Sequence, residues 1–343
     1  MNILVLAGGY SPERDVSLTS GTLIANALMK EGHRVCLADV YLGVSDDKVS
    51  LDAFAQEPIA PYCVKDAIPD LDALKAKSGN GDALIGKGII ELCKLADAVF
   101  LALHGAMGEN GQLQATLDNY GIKYTGSGYV GSLLAMDKDL SKKIFRDAGV
   151  RTPDWVYASA ADCDVETIEA KIGYPCVVKP CSCGSSVGIS IVDGREGLIA
   201  ALAEAAKYED KVLVEKKIEG RELTVGILDG EVLPAIEIIP TEGFYDYKNK
   251  YQAGKTVELC PAPISDEIKN ALAEQTARAF SALRLSGYSR FDYIVDANND
   301  PWCLEANTLP GMTPTSLLPQ MAAANGMSYG TLCCKIVELA FKK

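Results

Sequence analysis

The sequence is poor in the residues that build zinc sites. Only two of its 343 residues are histidines, His33 and His104, and its 11 cysteines include no Cys-x-x-Cys pair. Zinc centres need clustered histidine and cysteine ligands, so this scarcity argues against one. The number of cysteines is odd and most of them sit inside apolar runs, as Cys176 does. We therefore expect reduced core thiols in a cytoplasmic protein and not a secreted disulfide scaffold.

Long apolar runs and excess positive charge are also missing. The run that follows Met1 is too short for the core of a signal peptide, and no run approaches the length of a membrane span. We therefore expect no membrane partner. The net charge of −13 argues against nucleic acid as the main partner, although a locally basic site can still bind a small anion.

The sequence does contain an alternation of short apolar strands, glycine-rich loops and helices. A strand at 2–7, a helix at 17–30 and a strand at 34–40 predict a doubly wound parallel sheet. A further buried strand at 98–103 leads into a glycine-rich loop that begins at His104. Loops at the carboxyl ends of such strands bind ligands, so His104 is a candidate ligand contact. A structural hydrogen-bonding role is the alternative.

Residues 126–131 match the pattern G-x-G-x-x-G, which also occurs in dinucleotide-binding proteins. No carboxylate after a following strand completes the motif about 20 residues further on. We interpret the segment as a turn that leads into a helix at 132–148, and not as a nicotinamide cofactor site.

A second loop rich in small residues spans residues 179–188. Its backbone N–H groups can surround phosphate oxygens, Ser185 and Ser186 add hydroxyl donors, and Lys179 stands at the end of the preceding strand. The loop lacks the Gly-Lys-Ser/Thr of a Walker motif, and no helix follows it directly. We predict a nucleotide phosphate site here, with a surface turn as the alternative. An aromatic and charged segment at 244–251 is similarly predicted to form a lid, with a surface loop as the alternative.

The segment from Arg290 to Gly311 is predicted to form two strands joined by a turn. Because strand side chains alternate, Arg290 and Asp292 should share one face, and Glu305 and Asn307 one face of the partner strand. Two carboxylates and a carboxamide suit a hard cation such as Mg²⁺ beside phosphate oxygens. A hairpin with a solvated acidic edge is the alternative. The opposite, apolar face should consist of Phe291, Tyr293, Val295, Trp302, Leu304 and Ala306.

Seven motifs in one order resemble those of the D-alanine–D-alanine ligases, which are ATP-grasp enzymes of peptidoglycan precursor synthesis. They are Pro-Glu-Arg-Asp-Val-Ser (12–17), Leu-His-Gly (103–105), Met-Asp-Lys (136–138), Gly-Ser-Ser-Val-Gly (184–188), Phe-Tyr-Asp-Tyr (244–247), Arg-Phe-Asp (290–292) and Glu-Ala-Asn-Thr-Leu-Pro-Gly-Met-Thr (305–313). The resemblance covers the chain apart from residues 43–95.

The resemblance implies a fold and a reaction. The fold is α/β: a substrate-binding domain with a doubly wound parallel sheet at 1–130, then the two parts of an ATP-grasp fold at 131–218 and 219–343. In the reaction, the carboxylate of one D-alanine attacks the γ-phosphate of ATP, and the amine of a second D-alanine displaces phosphate from the resulting acyl phosphate. Positioning and charge neutralisation dominate such chemistry. The resemblance also implies a homodimer.

Residue roles in the ATP site follow from the same resemblance. Asp292, Glu305 and Asn307 match the ligands of two Mg²⁺ ions, for which Mn²⁺ can substitute. Lysines would contact the phosphates, the segment 215–218 would contact adenine, and Glu222 would contact the ribose. The residues that match the ATP site are Lys138, Lys179, Ser186, Glu215, Lys216, Lys217, Ile218, Glu222 and Lys250.

Further roles concern the amino-acid substrates. Arg290 and the Gly311 N–H match the donors that stabilise the tetrahedral oxyanion. Glu13, Ser185 and Tyr251 match a hydrogen-bonded trio that ties the N-terminal domain to the phosphate loop and the lid. The residues that match substrate contacts are Glu13 and His104 for the first D-alanine, and Ser316 and Leu317 for the carboxylate of the second.

Two features bear on the choice of second substrate. Relatives that make D-alanyl-D-lactate carry an arginine where this chain has Leu317 and lack the tyrosine pattern of the lid that this chain keeps, so the resemblance favours D-alanine. D-serine or another second substrate is the alternative. A non-catalytic nucleotide-binding homologue is a further alternative, against which the intact Lys179, Arg290 and metal-matching residues argue. The chain departs from the family in its phosphate loop, where Cys181-Ser-Cys183 replaces a more charged run.

Overall fold

The computed structural model describes residues 1–62, 69–184, 186–241 and 256–342. Its N-terminal part is built on the predicted parallel sheet, with the strand order β2-β1-β3. An isolated parallel bridge between Val99 and Tyr124 extends the sheet at its β3 edge. The strands are β1 Asn2–Ala7, β2 Arg34–Asp39 and β3 Ala98–Leu101.

Helix α1 (Arg14–Lys30) covers one face of this sheet. Its buried Ile24 and Leu28 lie one turn apart and pack into the same core as the strand residues. A helix near the C-terminus, Tyr329–Leu339, packs against α1 and extends that core. The other helices of this part are α2 Leu71–Ser78, α3 Ile89–Leu95, α4 Ala106–Glu109 and α5 Gln112–Asn119, with single 3-10 turns at Asp46–Lys48 and Leu51–Ala53.

The single helix predicted at 132–148 is two helices, α6 (Tyr129–Met136) and α7 (Lys138–Asp147). Asp137 separates them because its backbone is extended, with φ −80° and ψ 104°. Its carboxylate accepts a hydrogen bond from the backbone N–H of Leu140 and so caps α7. The break gives Lys138 the first position of a new helix beside the predicted phosphate loop.

The central part contains an antiparallel sheet with the order β4-β7-β5-β6. Two helices pack against it, and buried Ile168, Leu198 and Leu202 join the strand residues in a separate core. The strands are β4 Trp155–Ser159, β5 Cys176–Pro180, β6 Ser190–Val192 and β7 Lys211–Lys216; the helices are α8 Val165–Lys171 and α9 Arg195–Ala205, with a 3-10 turn at Ala160–Asp162.

The C-terminal sheet is antiparallel and has the order β11-β10-β8-β12-β13, with β9 paired to β8. Asp229 and Gly230 both have positive φ, which allows a tight hairpin between β8 and β9. The strands are β8 Arg221–Leu228, β9 Glu231–Val232, β10 Ile236–Pro240, β11 Thr256–Leu259, β12 Tyr288–Val295 and β13 Pro301–Asn307.

Helix α10 (Asp266–Ala282) packs on this sheet with Ile268, Leu272 and Ala279 buried at helical spacing. Ser265 caps it by accepting a hydrogen bond from the N–H of Ile268. The last helices are α11 Leu317–Ala324 and α12 Tyr329–Leu339. Within the described ranges, no helix combines the length and the apolar character that crossing a lipid bilayer requires.

Candidate active site

The β12–β13 hairpin forms the polar face predicted from strand alternation. Arg290 lies opposite Asn307, and Asp292 lies opposite Glu305. Side chains that are directly opposed in an antiparallel pair have Cβ atoms about 5 Å apart. One arginine, two carboxylates and one carboxamide therefore converge. Such oxygen donors fit a hard cation such as Mg²⁺.

The apolar face of the hairpin differs from the prediction. A register shift between Asp292 and Tyr293 places Cys303 opposite Tyr293, and both are buried in the core. The prediction that Trp302 and Leu304 pack there with Ala306 is wrong, because a β-bulge adds one residue to a strand and changes the face of the residues beyond it. Trp302 instead donates its indole N–H to a carboxylate in the turn at 3.0 Å.

Each carboxylate of the hairpin has a cation beside it. Arg290 donates from Nε and Nη2 to the two carboxylate oxygens of Asp292, both at 2.9 Å. Thr224 Oγ1 donates to Asp292 Oδ1 at 2.6 Å. Lys138 Nζ lies 3.5 Å from Glu305 Oε2. Residues of two strands thus hold Asp292 in one orientation, and the negative charges of Asp292 and Glu305 are each balanced by a neighbouring cation.

Arg290, Glu305 and Asn307 of the polar face line a cavity of about 380 Å³, whereas Asp292 is not among the described residues of its lining. Its other walls come from the loops that follow β1 and β3 and from the beginning of α11. This volume suits a small-molecule ligand. The predicted site residues that line it are Glu13, His104, Lys138, Arg290, Glu305, Asn307, Gly311, Ser316 and Leu317.

Glu13 enters the cavity from the residue that precedes α1. The loop after β3 passes close to it at Gly105, which has φ +82°. A Cβ at this position would lie 2.5 Å from Ser11 Oγ and 3.4 Å from Glu13 Oε2. Glycine is required for both the conformation and the approach. The two carboxyl-end loops therefore meet at Glu13, as expected for a parallel sheet.

Glu109 also lines the cavity, although no role is predicted for it from the sequence. Its Oε2 accepts a hydrogen bond from the Gly105 N–H at 2.7 Å. Burial, together with the nearby Glu13 carboxylate, raises the pKa of Glu109 to about 8. A neutral carboxylic acid is therefore expected here at neutral pH. The one signal in the sequence is its place in the glycine-rich loop that begins at His104.

His104 faces the same cavity. Burial lowers the pKa of His104, which favours a neutral ring. Its Nε2 has no hydrogen-bond partner within the part of the chain that the structure describes. Buried ring nitrogens normally have a partner, so this atom is available to a substrate.

The beginning of α11 forms another wall. Ser316 precedes the helix, and its Oγ accepts a hydrogen bond from the Thr313 N–H at 3.1 Å. Gly311 approaches it so closely that a Cβ there would lie 2.9 Å from Ser316 Oγ. The first N–H groups of a helix lack partners within the helix and carry partial positive charge. This end of α11 therefore suits a carboxylate.

Lys138 joins α7 to the predicted phosphate loop. Its backbone N–H donates to the Cys181 carbonyl at 3.1 Å, and its Nζ donates to the Cys183 carbonyl at 2.7 Å. Ser186 has a φ of 57°, a left-handed conformation that is uncommon outside glycine. Such backbone strain is frequent where loops bind ligands.

Lys179 and Glu215 lie in a buried cluster outside the described lining of the cavity. Lys179 Nζ is 2.6 Å from Glu215 Oε1, and Lys142 Nζ is 2.9 Å from Glu215 Oε2. Burial raises the pKa of Glu215, but the two ammonium groups outweigh it and hold the pKa at about 2. Burial lowers the pKa of Lys142 to about 8. Lys142 is absent from the predicted set, and its spacing of one helical turn from Lys138 is the one hint in the sequence.

The remaining ATP-matching residues follow this cluster along the chain. Lys216 ends β7, whereas Lys217 and Ile218 lie beyond the strand. Glu222 lies on β8, opposite Ile294 of β12. None of the four is among the described residues that line the cavity.

Three predicted site residues, Ser185, Lys250 and Tyr251, lie outside the residues that the structure describes, as does the predicted lid at 244–251. The segment Thr256–Leu259 that follows forms the edge strand β11, and its Glu258 contributes to the cavity wall. The predicted trio of Glu13, Ser185 and Tyr251 thus has one member in the described structure.

Comparisons with known proteins give one consistent result. Two family models match the chain, D-ala D-ala ligase N-terminus over residues 2–127 and D-ala D-ala ligase C-terminus over residues 144–338. The D-alanine–D-alanine ligase of Pediococcus pentosaceus is 40% identical, with 98% of this chain and 97% of that protein covered. The crystal structure of the Bacillus anthracis D-alanine–D-alanine ligase complexed with ATP has a TM-score of 0.77 at 31% identity, covering 100% of this chain and 98% of that one. The VanG D-Ala:D-Ser ligase of Enterococcus faecalis has a TM-score of 0.76 at 28% identity, covering 99% of each chain.

Proposed function

The chain belongs to the D-alanine–D-alanine ligase family and joins D-alanine to D-alanine; we propose that it uses ATP and passes through a D-alanyl phosphate. The observation that carries the proposal is one cavity in which the polar face of the hairpin, Glu13 and the beginning of α11 meet. The reaction must hold an ammonium, a carboxylate and phosphates together. These walls offer a partner of matching charge for each.

In the first half-reaction, a carboxylate oxygen of one D-alanine attacks the γ-phosphorus of ATP, and the bond from that phosphorus to the ADP oxygen breaks. Glu13 accepts hydrogen bonds from the substrate ammonium, with the His104 ring beside it. Lys138 and Lys179 offset phosphate charge. These groups act by position, because the attacking carboxylate needs no activation by a base.

The residues Asp292, Glu305 and Asn307 would hold two Mg²⁺ ions, for which Mn²⁺ can substitute. Bound there, the ions would neutralise charge on the transferring phosphoryl group. The oxygen-only donor set supports this assignment, because such donors suit hard cations. Arg290 and Thr224 keep the Asp292 carboxylate oriented for that purpose.

In the second half-reaction, the amine of the other D-alanine attacks the acyl carbon. The resulting tetrahedral oxyanion collapses, the bond from carbon to the phosphate oxygen breaks, and the amine loses a proton. Arg290 and the Gly311 N–H donate to the oxyanion, which supplies about 3 kcal/mol for each preorganised donor. Ser316 and the N–H of Leu317 hold the carboxylate of this substrate at the beginning of α11.

We assign the remaining roles on the same basis. The N-terminal part, 1–130, binds substrate, and the parts 131–218 and 219–343 hold ATP between their antiparallel sheets. Glu13, Ser185 and Tyr251 form the trio that ties the first part to the phosphate loop and the lid. We propose a homodimer that acts in the cytoplasm. The further ATP contacts are Ser186, Glu215, Lys216, Lys217, Ile218, Glu222 and Lys250.

The test measures ADP release by the full chain with ATP, Mg²⁺ and D-alanine, and then identifies the product by mass spectrometry. D-Serine and D-lactate are offered in competition, because the likeness to VanG favours D-alanine–D-serine ligation as the second candidate. We expect D-alanyl-D-alanine to dominate. Another dominant product would overturn the choice of second substrate. Failure to release ADP with D-alanine would overturn the proposed use of ATP.

A further inference from the structure

The Lys142, Glu215 and Lys179 cluster contains a charge that the proposed mechanism does not use. Lys179 is a proposed phosphate contact, but within the described part of the chain Lys142 neither lines the cavity nor makes a hydrogen bond to the metal-matching residues. Its side chain is 0% exposed. A fully buried lysine is rare in proteins unless it is paired, so it needs a physical reason.

Three contacts fix the position of the Lys142 ammonium. The side chain comes from α7, one turn after Lys138. Its Nζ donates to Thr152 Oγ1 at 2.8 Å and to Glu215 Oε2 at 2.9 Å, and it lies 5.2 Å from the centre of the Trp155 ring. The other carboxylate oxygen, Glu215 Oε1, accepts a hydrogen bond from Lys179 Nζ at 2.6 Å.

The charges in this cluster do not cancel. Two ammonium groups, those of Lys142 and Lys179, share the one carboxylate of Glu215. The cluster therefore carries one net positive charge when Lys142 is protonated. Burying an uncompensated charge costs free energy, and an anion that binds beside the cluster recovers part of that cost.

We propose that Lys142 is a positioning residue for the nucleotide. The Lys142 ammonium pairs with Glu215 Oε2, and this pairing prevents Glu215 from neutralising the charge of Lys179. The inference rests on the proposed ATP site and identifies what keeps its lysine cationic. Without Lys142, Lys179 and Glu215 form a neutral pair. With Lys142, the three side chains together carry one positive charge, which attracts the phosphates of ATP.

Lys142→Met tests this inference, because methionine fills the buried space without a charge. We expect ADP to bind about tenfold more weakly, since one charge is lost at a distance of several ångströms. The KM for D-alanine should stay unchanged, which a general loss of structure would not allow. Isothermal titration calorimetry with ADP and Mg²⁺, together with separate KM values for ATP and D-alanine, gives the readout.

Lys143→Met is the matched control. Lys143 is the next residue on α7, its side chain is 60% exposed, and it pairs with Asp139 at 2.6 Å. Its loss should leave ADP affinity within about twofold, because exposed charges are screened by solvent. Equal ADP affinity in Lys142→Met and in the unmodified chain would overturn the inference.

A charge-conserving variant separates charge from packing. Lys142→Arg keeps the positive charge beside Glu215, so it should bind ADP more tightly than Lys142→Met. Equal or weaker binding would overturn the inference. If Lys142→Met does not fold, Lys142→Gln carries the test, because it keeps a polar group beside Thr152 and Glu215 without the charge; its ADP affinity should fall about tenfold, and unchanged affinity would overturn the inference. If the unmodified chain shows no ATP-dependent turnover, the proposed function fails instead.

Discussion

Replacing Arg290 with lysine tests whether a guanidinium stabilises the oxyanion. The Arg290 side chain is 11% exposed and donates two hydrogen bonds to Asp292, both at 2.9 Å. A planar guanidinium has further N–H groups that can point into the cavity while this pair stays intact. A lysine ammonium is a single point of charge. It can pair with Asp292 or with the oxyanion, but it cannot hold both in the same geometry.

The size of the effect follows from the loss of one preorganised donor. Such a donor contributes about 3 kcal/mol to transition-state stabilisation, which corresponds to about a 100-fold decrease in kcat. The oxyanion forms only in the second half-reaction. The KM values for ATP and D-alanine should therefore change by less than about threefold, because a contact made only in the transition state affects kcat and not ground-state binding.

Steady-state ADP release and product formation give kcat and both KM values. Arg221→Lys is the matched control, because Arg221 on β8 makes the same two-bond pair with Glu237, both at 2.7 Å, and lies outside the described cavity lining. We expect the control to retain full kcat. If Arg290→Lys also keeps kcat within about threefold of the unmodified chain, the assignment of Arg290 to the oxyanion is wrong.

Two further variants test the metal site and the buried acid. Glu305→Ala should abolish Mg²⁺-dependent phosphate release across a Mg²⁺ titration, because the donor set loses a carboxylate; near-normal turnover would refute the metal assignment. Glu109→Gln should raise the thermal midpoint of unfolding near pH 8 and have little effect near pH 5. The pKa of Glu109 is about 8 in the folded chain and 4.5 in its ordinary state, so between these pH values the folded chain keeps a proton that the unfolded chain loses. The stability of the unmodified chain therefore falls as the pH rises through this window, whereas glutamine has no proton to lose. Equal midpoints for both chains at every pH would contradict the raised pKa of Glu109.

The parts of the fold that depend on local patterns were predictable. Apolar strands followed by glycine-rich loops indicated the parallel sheet, and the alternation between Arg290 and Asn307 indicated the convergent polar face. In each case the decisive interactions lie within a few residues of one another or repeat at a fixed period, so a single sequence carries them.

The residues that escaped prediction depend on contacts between distant elements. Lys142 is one of many helical lysines until β7 brings Glu215 against α7, 73 residues later in the chain. Glu109 becomes a neutral acid because its burial, together with the nearby Glu13 carboxylate, raises its pKa. Neither effect has a local signature. Hydrophobic and charged patterns predict which side of an element faces the core, but they do not predict which buried charges will meet.

The bulge in the hairpin shows how one unpredicted detail can leave a predicted site intact. The extra residue, Leu304, lies beyond the pair of Asp292 with Glu305, so both polar pairs remain in register. If the extra residue of β13 lay between Glu305 and Asn307 instead, Glu305 would point to the other face of the strand, and the two carboxylates would not meet. Beyond the bulge, the side chains of β13 alternate between the two faces in the opposite order, so Cys303 points into the core against Tyr293. The position of the bulge therefore closes the core without disturbing the donor set.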